Sequence, residues 1–265
     1  MARLEDYANK YQTIKMERRD GILQMTFHTD GGPLLWGGLP HGEFPQAFRD
    51  VGSDARNKVI IITGTGDSFS GGDRASDPAR QPTPLTLRPR YWDRVYWEGK
   101  QLLNNLLDIE VPMISAINGP ALAHSEIPLL CDIVLASENA VLQDAGHFPN
   151  GGVPGDGVHI VYPLLLGMNR GRYFLLTGQA IGAQEAQQLG LVNEVLSREK
   201  LLPRAWELAE HLTQRPQLLL RYTRVVLTQA IKRQMVDLLG YGLILEGMNS
   251  AEYAAQAAEA QEQGS

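Results

Sequence analysis

Cysteine is nearly absent from this chain of 265 residues, in which Cys131 is the single one. One cysteine excludes an internal disulfide framework and every metal site of the CxxC type. Cys131 stands in the stretch LLCD after an apolar run, which indicates a buried, unreactive thiol. None of the six histidines forms an HExxH pattern, so we expect no zinc site and no metal or other cofactor.

Excess positive charge and long hydrophobic runs are also missing. The formal net charge is -6, which gives no sign of a nucleic-acid partner. No segment has the length and apolarity of a membrane span or the pattern of a signal peptide. With 43% hydrophobic and 20% charged residues, the chain has the composition of a folded globular protein. We therefore expect a cytoplasmic protein that binds neither nucleic acid nor membranes.

Short apolar segments alternate with helical patterns along most of the chain. Runs of this kind are usually strands covered on both faces, and their alternation with helices predicts an α/β fold with crossover connections. The predicted strands lie in residues 21–30, 57–66, 111–120 and 131–137, and the predicted helices in 43–54 and 90–110.

The remainder of the chain divides into two kinds of segment. Residues 75–90 are rich in proline, which predicts a loop or flap. We expect residues 75–97 to shape a substrate pocket. From about Lys200 onward the pattern is helical almost throughout.

One turn-forming stretch carries groups with chemical potential. His147 to Gly157 contains four glycines and two prolines together with one histidine and one aspartate. A neutral imidazole accepts protons near neutral pH, and a carboxylate on its other nitrogen would fix its tautomer. His147 and Asp156 would form such a pair if the loop folds back. Taken alone, they are also compatible with a surface turn histidine and a helix N-cap.

Four segments, in order, resemble the crotonase (enoyl-CoA hydratase/isomerase) superfamily. They are VIIITGTGDSFSGGD, VPMISAINGPALAHSEIPLLCDIVLAS, HFPNGGVPGDG and YFLLTGQAIGAQEAQQLGLVNEVL. The resemblance implies a crotonase-like spiral of ββα units with a helical C-terminal region, assembled as a homotrimer or a dimer of trimers. By this resemblance, residues 1–200 form the spiral core, and residues 201–265 serve trimerisation and cover the active site.

The chain departs from the hydratases of this superfamily at their main catalytic positions. Hydratases have a glycine triplet followed by a glutamate, where this chain has Ala123, His124, Ser125 and Glu126. Their second catalytic glutamate corresponds to His147. A backbone amide that binds the thioester oxygen corresponds to about Asp73, where a small residue is usual. These departures argue against acyl-CoA substrates.

The replacements are similar to those of a smaller branch, the 6-oxocamphor hydrolase-like β-diketone hydrolases. These enzymes add water to cleave the bond between two carbonyl groups, a retro-Claisen reaction that yields a keto acid without a cofactor. The resemblance implies three tasks for the site: water activation by His147 and Asp156, polarisation of a carbonyl by His124 and Trp36 with His41 as a substrate contact, and protonation of the leaving enolate by Glu246.

Other interpretations stay open at this point. The chain would also fit an acyl-CoA hydratase or isomerase with altered acid–base residues, or a non-catalytic scaffold with the same fold. Trp36 has simple packing as an alternative role, His41 a loop position outside the site, and Glu246 a trimer contact. The sequence specifies neither the diketone, nor its stereochemistry, nor a choice between trimer and hexamer.

Overall fold

The computed structural model describes residues 2–71 and 89–263. The predicted flap at residues 75–90 lies outside the described residues, except for its last two, which begin a helix. Asp73, predicted to supply a backbone amide, also lies outside them.

A six-stranded sheet forms the centre of the fold, with β1 and β2 antiparallel and every later pair parallel. The four predicted strands are confirmed as β2 to β5, each shorter than its predicted range. The first strand of the sheet escaped prediction. In sheet order the strands are β1 (Ile14–Arg19), β2 (Ile22–Phe27), β3 (Val59–Gly64), β4 (Met113–Ile117), β5 (Ile133–Ser137) and β8 (Glu194–Leu196), and a separate small sheet pairs β6 (Val141–Leu142) with β7 (Ile181–Gly182).

Helices cover both faces of this sheet. The helical pattern expected beyond about Lys200 is confirmed, because almost all of that segment lies in α8 and the long α9. No helix among the described residues is long and apolar enough to cross a membrane. The helices are α1 (Leu4–Tyr7), α2 (Gly38–Ser53), α3 (Pro89–Leu107), α4 (Glu126–Leu129), α5 (Val158–Leu166), α6 (Met168–Thr177), α7 (Ala183–Gln188), α8 (Arg198–Thr213) and α9 (Gln217–Gln263).

The continuous apolar character of the central strands follows from burial on both faces. One side of the sheet packs into a large core that includes Phe44 and Phe48 of α2 and Leu102 and Leu106 of α3. The other side packs against α8 through a smaller cluster that includes Leu201. A parallel sheet between helical layers explains why β3 and β4 lack the alternation of a half-exposed strand. The predicted α/β class is thereby confirmed.

Long α9 brings the end of the chain back to the loop after β6. It packs along α3 and α5. At one point its backbone at Gly242 approaches the backbone of Gly155 so closely that a side chain on either residue would collide with the other. Two glycines are therefore required at this crossing, which fixes the loop of residues 147–157 against α9.

Candidate active site

A cavity of about 330 Å³ opens between α3, α9 and the loops that follow β4 and β6. The six residues proposed from the sequence come from four separate segments of the chain, yet all of them line this one cavity. They are Trp36, His41, His124, His147, Asp156 and Glu246. Val95, Gly99 and Leu243 supply an apolar wall on one side.

His147 is held by a carboxylate that sequence reasoning missed. Its Nδ1 atom lies 2.6 Å from Oδ1 of Asp144, three residues earlier in the same loop. The side chains of His147 and Asp156 also meet, but Asp156 approaches Nε2, at 3.4 Å. The expectation that Asp156 occupies the orienting nitrogen is therefore corrected to Asp144. The reason is local, because Asp144 lies only three residues before His147 in the same loop, within reach of Nδ1.

Negative charge dominates the surroundings of His147. Burial by itself lowers the pKa of this imidazole, but the charge of Asp156 and the bonds to Asp144 and Glu246 outweigh it and raise the pKa well above its ordinary value. Glu246 lies 3.7 Å from Nε2 of His147, and burial raises the pKa of its carboxyl. For Asp156 burial opposes ionisation, yet His147 and His124 hold its pKa below the usual range.

His124 occupies the place of the family's glycine loop and keeps a glycine-like backbone. Its φ is 49°, in the left-handed region that side chains other than glycine rarely adopt. Its Nδ1 lies 2.7 Å from Oε1 of Glu126, and its Nε2 lies 3.4 Å from Oδ2 of Asp156. Burial lowers the pKa of His124, but the charges of Glu126 and Asp156 raise it overall to about 9.

His41 and Trp36 pack around the ring of His124. The Nε2 atoms of His41 and His124 are 3.4 Å apart. Burial lowers the pKa of His41 to about 3, so this ring is neutral. The indole of Trp36 lies against His124 with ring centroids 4.2 Å apart. Its Nε1 is buried and has no hydrogen-bond partner among the described residues.

Glu126 and Asp144 are the site residues that sequence reasoning left unassigned. Glu126 follows His124 by two residues, and Asp144 precedes His147 by three. This closeness in sequence to the two histidines is the feature from which their roles could have been predicted. Ligand-type atoms of His124, Glu126 and Asp156 lie within 4.8 Å of one another, a spacing also seen around metal ions. Within the group, His124 is hydrogen-bonded to Glu126 and lies 3.4 Å from Asp156.

The arrangement combines three chemical capabilities. His147 presents an imidazole nitrogen to the cavity while a carboxylate holds its other nitrogen. His124 and the free indole N–H of Trp36 are donors for an oxygen that gains negative charge. Glu246 is a buried carboxyl whose raised pKa favours the proton-bearing form.

Comparison with known proteins identifies the family. Residues 38–262 match the sequence model of the enoyl-CoA hydratase/isomerase family. The chain belongs to this family. It is therefore a crotonase-superfamily enzyme, as the four motifs indicated.

Several curated relatives of this crotonase are named for coenzyme A thioesters. The 2,3-dehydroadipyl-CoA hydratase of Escherichia coli K12 is 32% identical over 182 residues, which is 67% of either chain. The probable peroxisomal enoyl-CoA hydratase 1 of Arabidopsis thaliana is 29% identical and covers 80% of this chain and 75% of its own.

Among solved structures, a β-diketone hydrolase from the cyanobacterium Anabaena sp. PCC 7120 is much more similar. It is 50% identical, covers 94% of this crotonase and 98% of its own chain, and superposes with a TM-score of 0.89. That structure holds (S)-3-oxocyclohexyl acetic acid. An enoyl-CoA hydratase/isomerase from Mycobacterium paratuberculosis, 24% identical with a TM-score of 0.83, shares the fold and covers 91% of this chain and 94% of its own. The predicted crotonase fold is thus confirmed.

Proposed function

We propose that this crotonase adds water to a cyclic or bicyclic 1,3-diketone and cleaves the bond between its two carbonyl groups. The observation that carries the proposal is the pairing of His147 with Asp144, which makes Nε2 the proton-accepting atom in the cavity once the ring is unprotonated. A positioned base of this kind contributes about 100-fold to 10,000-fold to a reaction rate.

Water activation is the first step. In the neutral ring, Nδ1–H of His147 donates a hydrogen bond to Asp144. The lone pair is then on Nε2, which lies near both Asp156 and Glu246. A water molecule held there would donate one proton to Nε2 as its oxygen attacks a carbonyl carbon of the diketone. Asp156 then stabilises the resulting imidazolium across 3.4 Å.

Stabilisation of the attacked carbonyl is the second task. The new C–O bond turns the carbonyl oxygen into an oxyanion, which requires donors that are already in place. The indole N–H of Trp36 is buried without a partner in the part of the chain that the structure describes, and His124 beside it offers Nε2–H. Indole nitrogen is a donor only, so it does not compete with the carbonyl as an acceptor.

Cleavage and protonation complete the reaction. When the oxyanion collapses, the carbon–carbon bond breaks and its electron pair passes to the other carbonyl as an enolate. The enolate carbon takes a proton from Glu246, and His147 returns its proton to Glu246 across 3.7 Å. One diketone and one water thus give one keto acid, and the enzyme regains its starting protonation state.

The ligand of the Anabaena hydrolase supports the proposed substrate class. A ring ketone that bears a carboxymethyl group, as in (S)-3-oxocyclohexyl acetic acid, is what water addition to a bridged diketone would yield. In such a diketone both carbonyls flank one bridgehead carbon. The apolar wall of Val95, Gly99 and Leu243 fits the hydrocarbon part of this molecule.

Hydration of an enoyl-CoA thioester is the second candidate, favoured by the curated relatives. Against it, Glu126 aligns with the family's first catalytic glutamate but is fully buried behind His124. It does not line the cavity.

The test offers both substrates to the purified protein. We expect the bridged diketone to be converted to its keto acid and crotonyl-CoA to remain unchanged. Chromatography on a chiral phase measures the formation of the keto acid. His147→Ala should abolish the conversion, whereas His211→Ala, at an exposed histidine of α8, should retain it. Hydration of crotonyl-CoA without diketone cleavage would refute the proposal, and inertness towards both would favour the scaffold interpretation.

Exposed apolar side chains support the expected assembly into a homotrimer or a dimer of trimers. Met168, Tyr173 and Leu176 on α6 are each at least 60% exposed, and Tyr222 and Val226 on α9 are similarly uncovered. Clusters of exposed apolar side chains often mark an interface between proteins. Light scattering coupled to size-exclusion chromatography should give a molar mass three or six times that of the chain.

A further inference from the structure

The carboxylate of Glu126 contacts His124 but does not line the cavity. Glu126 begins α4 and is completely buried, and its Oε1 lies 2.7 Å from Nδ1 of His124. Its other oxygen, Oε2, has no hydrogen-bond partner among the described residues. A buried carboxylate is costly unless a positive partner compensates it. The imidazole of His124 is the partner in direct contact.

Among the described residues, a carboxylate acceptor faces each nitrogen of the His124 ring. Nδ1 faces Glu126, and Nε2 faces Asp156 at 3.4 Å. Nε2 also lies 3.4 Å from Nε2 of the neutral His41 ring, which accepts there when its proton is on Nδ1. A neutral imidazole has one N–H and one lone pair, so one of its nitrogens would oppose an acceptor without a proton between them. Two protons on the ring satisfy both sides.

We propose that Glu126 is the positioning residue that keeps His124 doubly protonated, so that Nε2–H enters the cavity as a cationic donor. The glutamate of the hydratase motif is thereby retained but acts through the histidine that replaced the glycine loop. The inference rests on the proposed function for the identity of the oxygen that His124 polarises. The protonation state itself belongs to the free protein and is independent of any substrate.

Several charged groups surround His124, and their balance favours the cation. Glu126 from α4 and Asp156 from the loop before α5 contribute negative charge, whereas the raised pKa of Glu246 on α9 favours its neutral form. His147 opposes the cation when it is itself protonated, and His41 from α2 does not, because it is neutral. Glu126 is the group in shortest contact with the ring, so its removal should have the largest effect.

The loop is built to hold this geometry. The hydroxyl of Ser125, between the two residues, donates to the carbonyl of Gln143 at 3.1 Å and lies 2.6 Å from the hydroxyl of Tyr162. These contacts anchor the left-handed turn at His124 independently of Glu126. Glu126→Gln should therefore keep the fold, because the amide oxygen still accepts from Nδ1–H while the charge is gone.

Nitrogen-15 NMR of the histidine rings in the ligand-free protein tests the protonation state directly. We expect both ring nitrogens of His124 to stay protonated up to about pH 9, well above the ordinary pKa of histidine. In Glu126→Gln this titration should move down by about one pH unit or more, in Glu126→Asp by less, and in the exposed control Glu138→Gln not at all. A neutral His124 at neutral pH in the unaltered protein would overturn the proposal, even if Glu126→Gln does not fold.

Steady-state kinetics supplies the second readout. Loss of the cationic donor should lower kcat by about 10-fold to 100-fold with a smaller effect on KM, because the donor is stronger towards an oxyanion than towards a ketone. The alkaline limb of kcat/KM should shift to lower pH in Glu126→Gln, in step with the NMR titration. Equal pH profiles in both proteins would count against the proposal. If no diketone is cleaved but His124 is doubly protonated, the proposed function fails and this inference stands.

Discussion

The imidazole of His147 is joined to Asp144 by a 2.6 Å contact between Nδ1 and Oδ1. Since Asp144 precedes His147 by three residues, one turn of the loop supplies both the ring and its orienting carboxylate. The remaining nitrogen is therefore directed to Asp156 and Glu246 at the cavity. This division of contacts decides which carboxylate orients the base and which groups meet the reacting molecules.

Asp144→Asn should shift the pH dependence of the reaction. Nearby carboxylates raise the pKa of His147 well above its ordinary value, and only the unprotonated ring acts as a base. In the unaltered enzyme kcat/KM should thus rise with pH through a value above about 6.5. Removing the charge of Asp144 lowers this pKa, so the acid limb should move to lower pH.

The same substitution should lower kcat by about 100-fold to 10,000-fold, because the asparagine amide no longer fixes the tautomer. The measurement is kcat and kcat/KM as a function of pH, with the enzyme equilibrated at each pH before the assay. Asp67→Asn, at an exposed aspartate, is the matched control. An acid limb that stays at the same pH in Asp144→Asn would exclude Asp144 from this role.

Trp36→Phe separates hydrogen bonding from packing. Phenylalanine retains an aromatic ring beside His124 and Phe44 but lacks the unpaired Nε1–H. The loss of one oxyanion donor typically lowers kcat by about 100-fold or more. We expect that decrease in kcat together with a small change in thermal stability. Steady-state assays measure kcat, and calorimetry measures the unfolding temperature. Unchanged kcat would assign Trp36 to packing alone.

Much of this molecule follows from sequence, for identifiable reasons. The buried strands β3 and β4 are continuous β-branched runs, so they are recognisable without tertiary information. Strand β1 alternates buried and exposed residues and includes the charged Arg18 and Arg19, which weakens its signal. Its place in the sheet depends on antiparallel pairing with β2.

The site divides in the same way. His147 and Asp156 share a motif whose glycines and prolines predict a turn that folds the chain back, and their side chains do meet. Which nitrogen of His147 faces which carboxylate depends on the orientation of the ring, and residue spacing contains no such information. Glu126 reads as one more residue of a short helix, because its burial behind His124 is a tertiary property.

His124→Gly and His124→Ala should differ in stability although both lack the imidazole. The backbone at this position has a φ of 49°, which glycine adopts without strain. Alanine there costs about 1 kcal/mol more, from the crowding of its Cβ in the left-handed conformation. We expect the glycine variant to have the higher free energy of unfolding in urea, and both variants to be inactive. Equal stabilities would mean that the loop relaxes away from this conformation.

Gly242→Ala should disturb the site from a distance. An added methyl group on α9 would collide with the backbone of Gly155 and the ring of His159. Gly155 adjoins Asp156, and Glu246 lies one helical turn beyond residue 242, so their separation should change. We expect about 1–3 kcal/mol of destabilisation and a clear loss of kcat.

A control for that experiment is Gly182→Ala, where no atom lies within 4 Å of an added Cβ. Its backbone φ is −73°, which alanine adopts readily. Activity that survives in Gly242→Ala at the level of this control would show that the crossing of loop and helix does not set the catalytic geometry.

Arg18→Met should destabilise the fold without altering chemistry at the cavity. Asp54 is almost fully buried, and its carboxylate accepts from Arg18 at 2.7 Å, from the hydroxyl of Tyr7 and from the backbone of Arg56. Burial opposes ionisation of Asp54, but these bonds hold its pKa below the usual value. Methionine preserves the apolar stem of Arg18 and removes its charge.

Removing the closer cation of this buried carboxylate should cost about 3 kcal/mol, because within the described part of the chain only the guanidinium of Arg56, at 3.9 Å, then remains as an ion-pair partner. A carboxyl with a lowered folded-state pKa stabilises the protein above its unfolded pKa of about 3.9, and this contribution is lost as the pH falls through the folded value. Arg18→Met should therefore reduce the free energy of unfolding at neutral pH and flatten its fall at acid pH. Adding Asp54→Asn should restore part of the stability, because the buried charge is then removed together with its partner. Urea unfolding at several pH values measures both effects, and a single variant as stable as the parent at neutral pH would contradict the prediction.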